Sequence, residues 1–97
     1  MIIRIVKMYL KSGENKSFAT FMKPFQQKIR NFDGCIHHDI FPDKENDDIF
    51  YSYTIWKSES KVKKYRNSDL IKHISEAVMP KCTKEPIAWT VDEVFEK

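Results

Sequence analysis

Cys35, His37 and Asp39 alternate along a stretch that reads as a β-strand, and thiol, imidazole and carboxylate are all metal ligands. Residues two apart on a strand share a face at a spacing of about 6–7 Å, too wide for three of them to close on one ion. The expectation is three side chains on one face and no metal centre. His37 and His38 are neighbours, so one points to each side of a sheet and the two cannot act as a pair. Cys82 has no histidine or carboxylate at a suggestive spacing. A glycine-rich phosphate loop, a nucleophile elbow and a paired His-Glu zinc motif are all missing from the sequence, which excludes the chemistries those motifs perform.

The elements that must carry these residues follow from hydrophobic periodicity. Ile2 to Leu10 is apolar in both alternations, with Ile2, Val6, Met8 and Leu10 on one side and Ile3, Ile5 and Tyr9 on the other. Ile49 to Trp56 behaves the same way: Phe50 and Trp56 oppose Ile49, Tyr51, Tyr53 and Ile55. A strand apolar on both faces needs cover on both, because each such side chain left in water forfeits about 1.5–3 kcal/mol. Between these strands, Phe18, Phe21, Met22, Phe25, Ile29 and Phe32 recur at three- and four-residue steps, predicting an amphipathic helix over Lys16 to Phe32. Pro24 falls inside it and predicts a kink, and Gly34 is expected to end it.

Cys35 to Phe41, closed by Pro42 and the acidic turn of Asp43, Glu45, Asp47 and Asp48, reads as the second strand. Ser58 and Ser68 are expected to cap two short helical pieces, the second carrying Leu70, Ile71, Ile74, Ala77 and Val78 before Pro80. Pro86 precedes a last strand, Ile87 to Phe95. The resulting order is the ferredoxin-like βαββαβ arrangement, an α+β fold with a four-stranded antiparallel sheet. Helices on one side leave the other sheet face bare, and two such faces packed together give a dimeric α/β barrel; the expected partner is therefore a second copy of the chain.

Length and composition agree with one domain spanning residues 1–97. Apolar residues make up 41% and charged residues 32%, a balance that excludes disorder. The net charge of +3 is mild, and the cluster of Lys57, Lys61, Lys63, Lys64 and Arg66 reads as a solvated helix face rather than a nucleic-acid footprint. Arg4 and Lys7 interrupt the N-terminal apolar run, so no signal peptide is expected, and no segment approaches the roughly 20 apolar residues that span a bilayer. Two cysteines are too few for a disulfide framework and favour reduced thiols in the cytoplasm. Neither a membrane nor a nucleic acid is an expected partner.

With these elements assembled, the chain resembles the antibiotic-biosynthesis monooxygenase family of dimeric α/β barrels. The matching marks are Lys11-Ser12-Gly13 after the first strand, Gly34-Cys35 opening the second, Phe50 to Trp56 followed by Lys57-Ser58, and Ser68-Asp69 at the last helical piece. The likeness covers roughly residues 2 to 95. It implies oxygenation of a small aromatic or quinol-like substrate with molecular oxygen and no metal, flavin or other cofactor. Such a substrate gives its own electrons to oxygen once deprotonated, so the protein need supply only a dry pocket, a base and hydrogen bonds to the developing anion. On this resemblance the pocket lies between the helices and the sheet, lined by Trp56, Phe25 and Ile74, with Tyr65 a hydrogen-bond donor to a substrate oxygen.

Two positions depart from the family pattern. Tyr65 stands where a histidine is common and Thr54 where a glutamate is common, which leaves His38 as the substitute base, since an imidazole titrating near roughly pH 6.5 is a natural proton acceptor. A branch of the family degrades haem through an asparagine on the first strand and an axial histidine on the last helix; here Val6 and Ser75 fill those positions and His73 falls two residues early. Three other readings use the same elements. The cavity can hold a metabolite without catalysis, or His38 or His73 can move a proton in a small sugar-derived metabolite. A sheet of this order can also stack RNA bases on Phe50, Tyr51 and Tyr53, although Asp47 and Asp48 beside that strand would repel phosphate.

Overall fold

In the computed structural model, which describes residues 1–92, the alternating runs form four strands, and their registry decides which side chains meet. The elements are β1 (Ile2–Tyr9), α1 (Asn15–Arg30), β2 (Cys35–Pro42), β3 (Ile49–Trp56), α2 (Glu59–Arg66), α3 (Asp69–Val78), one 3₁₀ turn (Met79–Lys81) and β4 (Ile87–Asp92). The sheet runs β2-β3-β1-β4 with every neighbouring pair antiparallel, the ferredoxin-like order. The expected extension of the last strand to Phe95 lies outside the described residues.

Because β1 sets Ile2 opposite Trp56 and Met8 opposite Phe50, the residues Ile2, Arg4, Val6 and Met8 share one face with Phe50, Ser52, Thr54 and Trp56. That face meets the helices. Phe18, Met22 and Ile29 of α1, Val62 and Tyr65 of α2 and Ile74 and Val78 of α3 join Ile2, Met8 and Trp56 in one buried cluster. Ring pairs knit it together: Phe18 lies 4.9 Å from Phe50 between centroids, and Trp56 lies 4.6 Å from Tyr65.

Strand β2 departs from strict alternation. Cys35 pairs with Trp56 while His37, not Ile36, pairs with Ile55, so a bulge at Ile36 takes up one residue. The bulge turns Cys35 and His38 toward the helices and His37 and Asp39 away. The expectation that Cys35, His37 and Asp39 share a face is thereby corrected, and among the described residues no group of three potential ligands stands close enough to hold a metal ion. Gly34 explains the local path. Its φ of +88° suits glycine, and a Cβ there would run into the Lys61 side chain of α2, so only a bare backbone passes beneath that helix. Helix α1 ends earlier than expected, at Arg30 with Asn31 as its cap, and Gly34 belongs to the entry into β2.

Pro24 lies within α1, which runs from Asn15 to Arg30 as one element. The proline removes the hydrogen bond to the Thr20 carbonyl on an exposed side of the helix, while Phe18, Met22 and Ile29 hold the buried side in place. Helices α2 and α3 begin at the expected caps: Ser58 Oγ accepts from the Lys61 N–H and Ser68 Oγ from the Ile71 N–H. Opposite the helices, Ile3, Ile5, Tyr9, Tyr53, Ile55, Ile87, Trp89 and Val91 form the second sheet face; none belongs to the buried cluster, and Trp89 keeps 46% of its surface exposed. No helix among the described residues is long and apolar enough to cross a membrane.

Candidate active site

Small side chains and a charge on the inner sheet face leave space that the helices do not fill. Ser52, Thr54 and Arg4 stand where a fully packed core would carry larger apolar groups, and Ala88 continues the row on β4. The result is a cavity of about 640 Å³ between the sheet and the three helices. That volume lies within the range of about 300–1,000 Å³ typical of small-molecule sites. Its walls are largely apolar, from Val6 and Met8 of β1, Phe18, Met22 and Ile29 of α1, and Ile71 and Ile74 of α3.

Tyr65 and Ile74 both border this space; Trp56 and Phe25 do not. Trp56 is fully buried behind it, its indole Nε1 donating to Thr54 Oγ1 at 2.9 Å. Thr54 Oγ1 in turn donates to the Arg4 carbonyl at 3.3 Å, so the hydroxyl at the position where the family resemblance leads one to look for a glutamate has its one proton committed. Phe25 packs against Phe21 and the exposed His73, whose ring centroid lies 5.6 Å from its own. His73 is therefore absent from the cavity wall, whereas Val6 and Ser75 are part of it.

The Tyr65 ring is buried, and its hydroxyl makes no hydrogen bond to a described residue. Burial pushes its pKa above the ordinary tyrosine range, with Cys35 adding to the rise and Arg4 opposing it. The group is thus a neutral phenol at any physiological pH, able to donate one hydrogen bond and never a phenolate base.

His38 occupies a different position. It lies between Cys35 and Ile40 on the inner side of β2, opposite Thr54, and is 1% exposed. Ile40 and Thr54 line the cavity; His38 sits behind them. Neither ring nitrogen has a hydrogen-bond partner among the described residues, a condition that costs about 1–3 kcal/mol for a buried polar group. Burial, assisted by the nearby Arg30 guanidinium and by His37 and opposed by Asp39, pulls its pKa down to about 4. The imidazole is neutral at pH 7. Arg30 also donates to the His38 carbonyl at 3.1 Å, pinning this segment of β2 to α1.

Sequence reasoning passed over Arg4. It reads as an interruption of an apolar run, yet its place in the alternation with Ile2 and Val6 puts it on the inner face, and it borders the cavity together with Arg66. The available signal was a lone charge at an inward position of a strand otherwise apolar on that side.

The model of the family described as "Antibiotic biosynthesis monooxygenase" matches residues 1–77. The chain belongs to that family. Among solved structures, a "putative antibiotic biosynthesis monooxygenase" from Nitrosomonas europaea is similar over 98% of this chain and 100% of its own, with 13% identity and a TM-score of 0.90. One from Caulobacter crescentus CB15 carries the same description and is similar at 17% identity over 97% of this chain and 90% of its own, with a TM-score of 0.88. A conserved protein from Methanosarcina mazei Go1 is 24% identical over 94% of this chain and 91% of its own, with a TM-score of 0.86. Among curated proteins, none matches the chain. At these identities the structural likenesses speak for the fold alone, and the backbone of this monooxygenase-family chain follows theirs nearly end to end.

Proposed function

We propose that this chain is a cofactor-independent monooxygenase that oxidises a small aromatic or quinol-like substrate with molecular oxygen in the cavity beneath its helices. The observation that carries the reading is the cavity itself: apolar walls of substrate size with one neutral phenol, Tyr65, whose hydroxyl bonds to no described residue. The chemistry asks little more of a protein. Deprotonation of an activated methylene or phenol gives an anion that reduces dioxygen directly; recombination forms a hydroperoxide on the substrate, and loss of water leaves a carbonyl. The substrate carbon supplies all the electrons that dioxygen takes up, one oxygen atom stays in the product and the other leaves as water.

In this reading Tyr65 is the catalytic residue that touches substrate, donating to the oxygen on which negative charge develops. His38 is the proposed proton acceptor, held unprotonated by burial; because it does not itself line the cavity, transfer to it requires the wall at Ile40 and Thr54 to move aside. Oxygen uptake under air with a panel of anthrones and reduced quinols tests the proposal. Tyr65→Phe should lower kcat by about 100-fold, the scale of losing one donor to a developing oxyanion. Absence of uptake across the panel overturns it.

The working unit in this proposal is a homodimer whose two outer sheet faces pack together, which disposes of the exposed apolar surface of Phe41, Ile87, Trp89 and Val91. Free thiols at Cys35 and Cys82 support a reducing, cytoplasmic setting. A second reading, ligand binding without turnover, draws on Thr54, whose hydroxyl, its one proton committed, leaves that position with no base. Native mass spectrometry separates the two: a retained hydrophobic ligand that survives exposure to oxygen unchanged favours binding alone.

A further inference from the structure

Four charged side chains border the cavity: Arg4, Arg66, Lys72 and Glu76. Lys72 and Glu76 stand one helical turn apart on α3, a spacing at which opposite charges attract, though they form no ion pair among the described residues. Arg4 and Arg66 have no such arrangement. Among the described residues neither is in an ion pair, and the charged group that bears on Arg4 is Arg66, of the same sign. Arg4 is half-buried, and one of its N–H groups reaches Thr90 Oγ1 at 3.2 Å; the rest of its planar fork bonds to no described residue. Burial and Arg66 together pull its pKa below the ordinary arginine value. Two guanidinium groups brought together beside an apolar chamber, with no carboxylate of the described residues paired to either, are complementary to a ligand anion.

We propose that the ligand of this cavity is an organic acid: an apolar or aromatic body against Val6, Met8 and Ile74, with a carboxylate or phosphate held by Arg4 and Arg66 at the β4 end. The inference rests on the cavity being the ligand site, as in the proposed function, and deepens it by naming the charge of the substrate. Arg4 then has a second use, since its charge lies close enough to the Tyr65 hydroxyl to oppose the rise in that group's pKa. An acid seated on the arginines is thereby placed with its ring beside the Tyr65 hydroxyl.

A matched set of probes tests this: 2-naphthoate, 2-naphthyl phosphate and the neutral 2-naphthamide, titrated calorimetrically into the full chain. The expected result is at least tenfold tighter binding of one or both anions than of the amide, with the preferred anion telling carboxylate from phosphate. Arg4→Met and Arg66→Met should each remove most of that preference, bringing the anions to the affinity of the amide. Arg66 is exposed, so its variant keeps the test valid if Arg4→Met fails to fold. Equal binding of all three probes, binding of none, or an anion preference untouched by Arg66→Met overturns the proposal. Its failure is distinct from failure of the monooxygenase reading. Acid binding without oxygen uptake on any quinol removes the oxygenase and spares the anion site, whereas oxygen uptake on quinols together with equal binding of the three naphthyl probes does the reverse.

Discussion

The two faces of the sheet carry different chemistry although the same strands supply both. Inward, Arg4, Ser52, Thr54 and His38 interrupt apolar residues, and the helices enclose the mixture around a cavity. Outward, β1 and β4 present Ile3, Ile5, Ile87, Trp89 and Val91 in near-uniform apolar rows, with tyrosines and Ile55 of β3 beside them. An inner face that forgoes packing density is suited to admit something; an outer face that is greasy and uncovered is suited to a matching surface. On the proposed reading, ligand binding and association would be encoded by alternate residues of one strand.

The most forceful way to break the comparison is a charge on the outer face. Ile5 stands between Tyr53 and Trp89, so Ile5→Glu places a carboxylate at the centre of the proposed dimer interface. There a buried, unpaired charge should cost about 3–5 kcal/mol and convert a sedimenting dimer to monomer or to unfolded chain. A face that remains in water would register less than about 0.5 kcal/mol and no change in mass.

On the inner face the corresponding probe is Trp56→Ala, which empties a fully buried site and leaves Thr54 without its indole donor. Urea denaturation should show a loss of about 3–5 kcal/mol. The sedimentation coefficient should hold, because Trp56 contributes to the helix side only. A dimer that falls apart on loss of Trp56 would mean that the two faces are not separable.

His38 sharpens the contrast through pH. Its pKa falls from 6.5 in the unfolded chain to about 4 in the fold, so between those values the unfolded state binds a proton that the native state refuses. Stability from this source is complete above pH 6.5, declines as pH falls, and is fully lost near pH 4, a change of about 3 kcal/mol. His38→Leu should flatten the stability profile in that window. Asp33 and Asp43, held below the usual carboxylate range by Lys61 and by the Tyr51 hydroxyl respectively, lose their contributions at lower pH still, so the two effects separate along the titration.

Much of this arrangement was legible in the residues. Period two in Ile2 to Leu10 and Ile49 to Trp56 sorts the side chains of β1 and β3 onto the faces they occupy, because both strands run without a bulge. The caps Ser58 and Ser68 announce α2 and α3, because capping is local. Legibility fails where distant parts decide. The bulge at Ile36 follows a glycine forced by the approach of Lys61 from another helix, and it separated Cys35 from His37 and Asp39, which were expected to share its face. Trp56, Phe25 and Tyr65 are all aromatic and all plausible as cavity walls in sequence; which of them borders the space depends on how α1 and α3 settle over β1. Arg4 was hidden for the opposite reason, since a charge inside an apolar run reads as a flaw in the pattern until the space beside it is seen.

The smallest effect concerns how firmly the cavity roof is fastened. Ser58 and Ser68 each accept one N–H of the helix they cap, but Ser68 also donates to the Tyr65 carbonyl at 2.6 Å, joining the end of α2 to the start of α3. Ser68→Ala therefore loses the cap and the junction, about 1–2 kcal/mol, whereas Ser58→Ala loses the cap and an exposed hydrogen bond to Ser60 Oγ within its own first turn, about 1 kcal/mol. Ser68 lies on the cavity wall and Ser58 does not, so hydrogen exchange should accelerate in α3 and at Tyr65 for the first variant and only in the first turn of α2 for the second. If both variants loosen the same amides equally, the roof is held by packing of Ile74 and Val78 rather than by its polar fastening. Motion at the cavity mouth would then belong to the core that the inner face shares with all three helices.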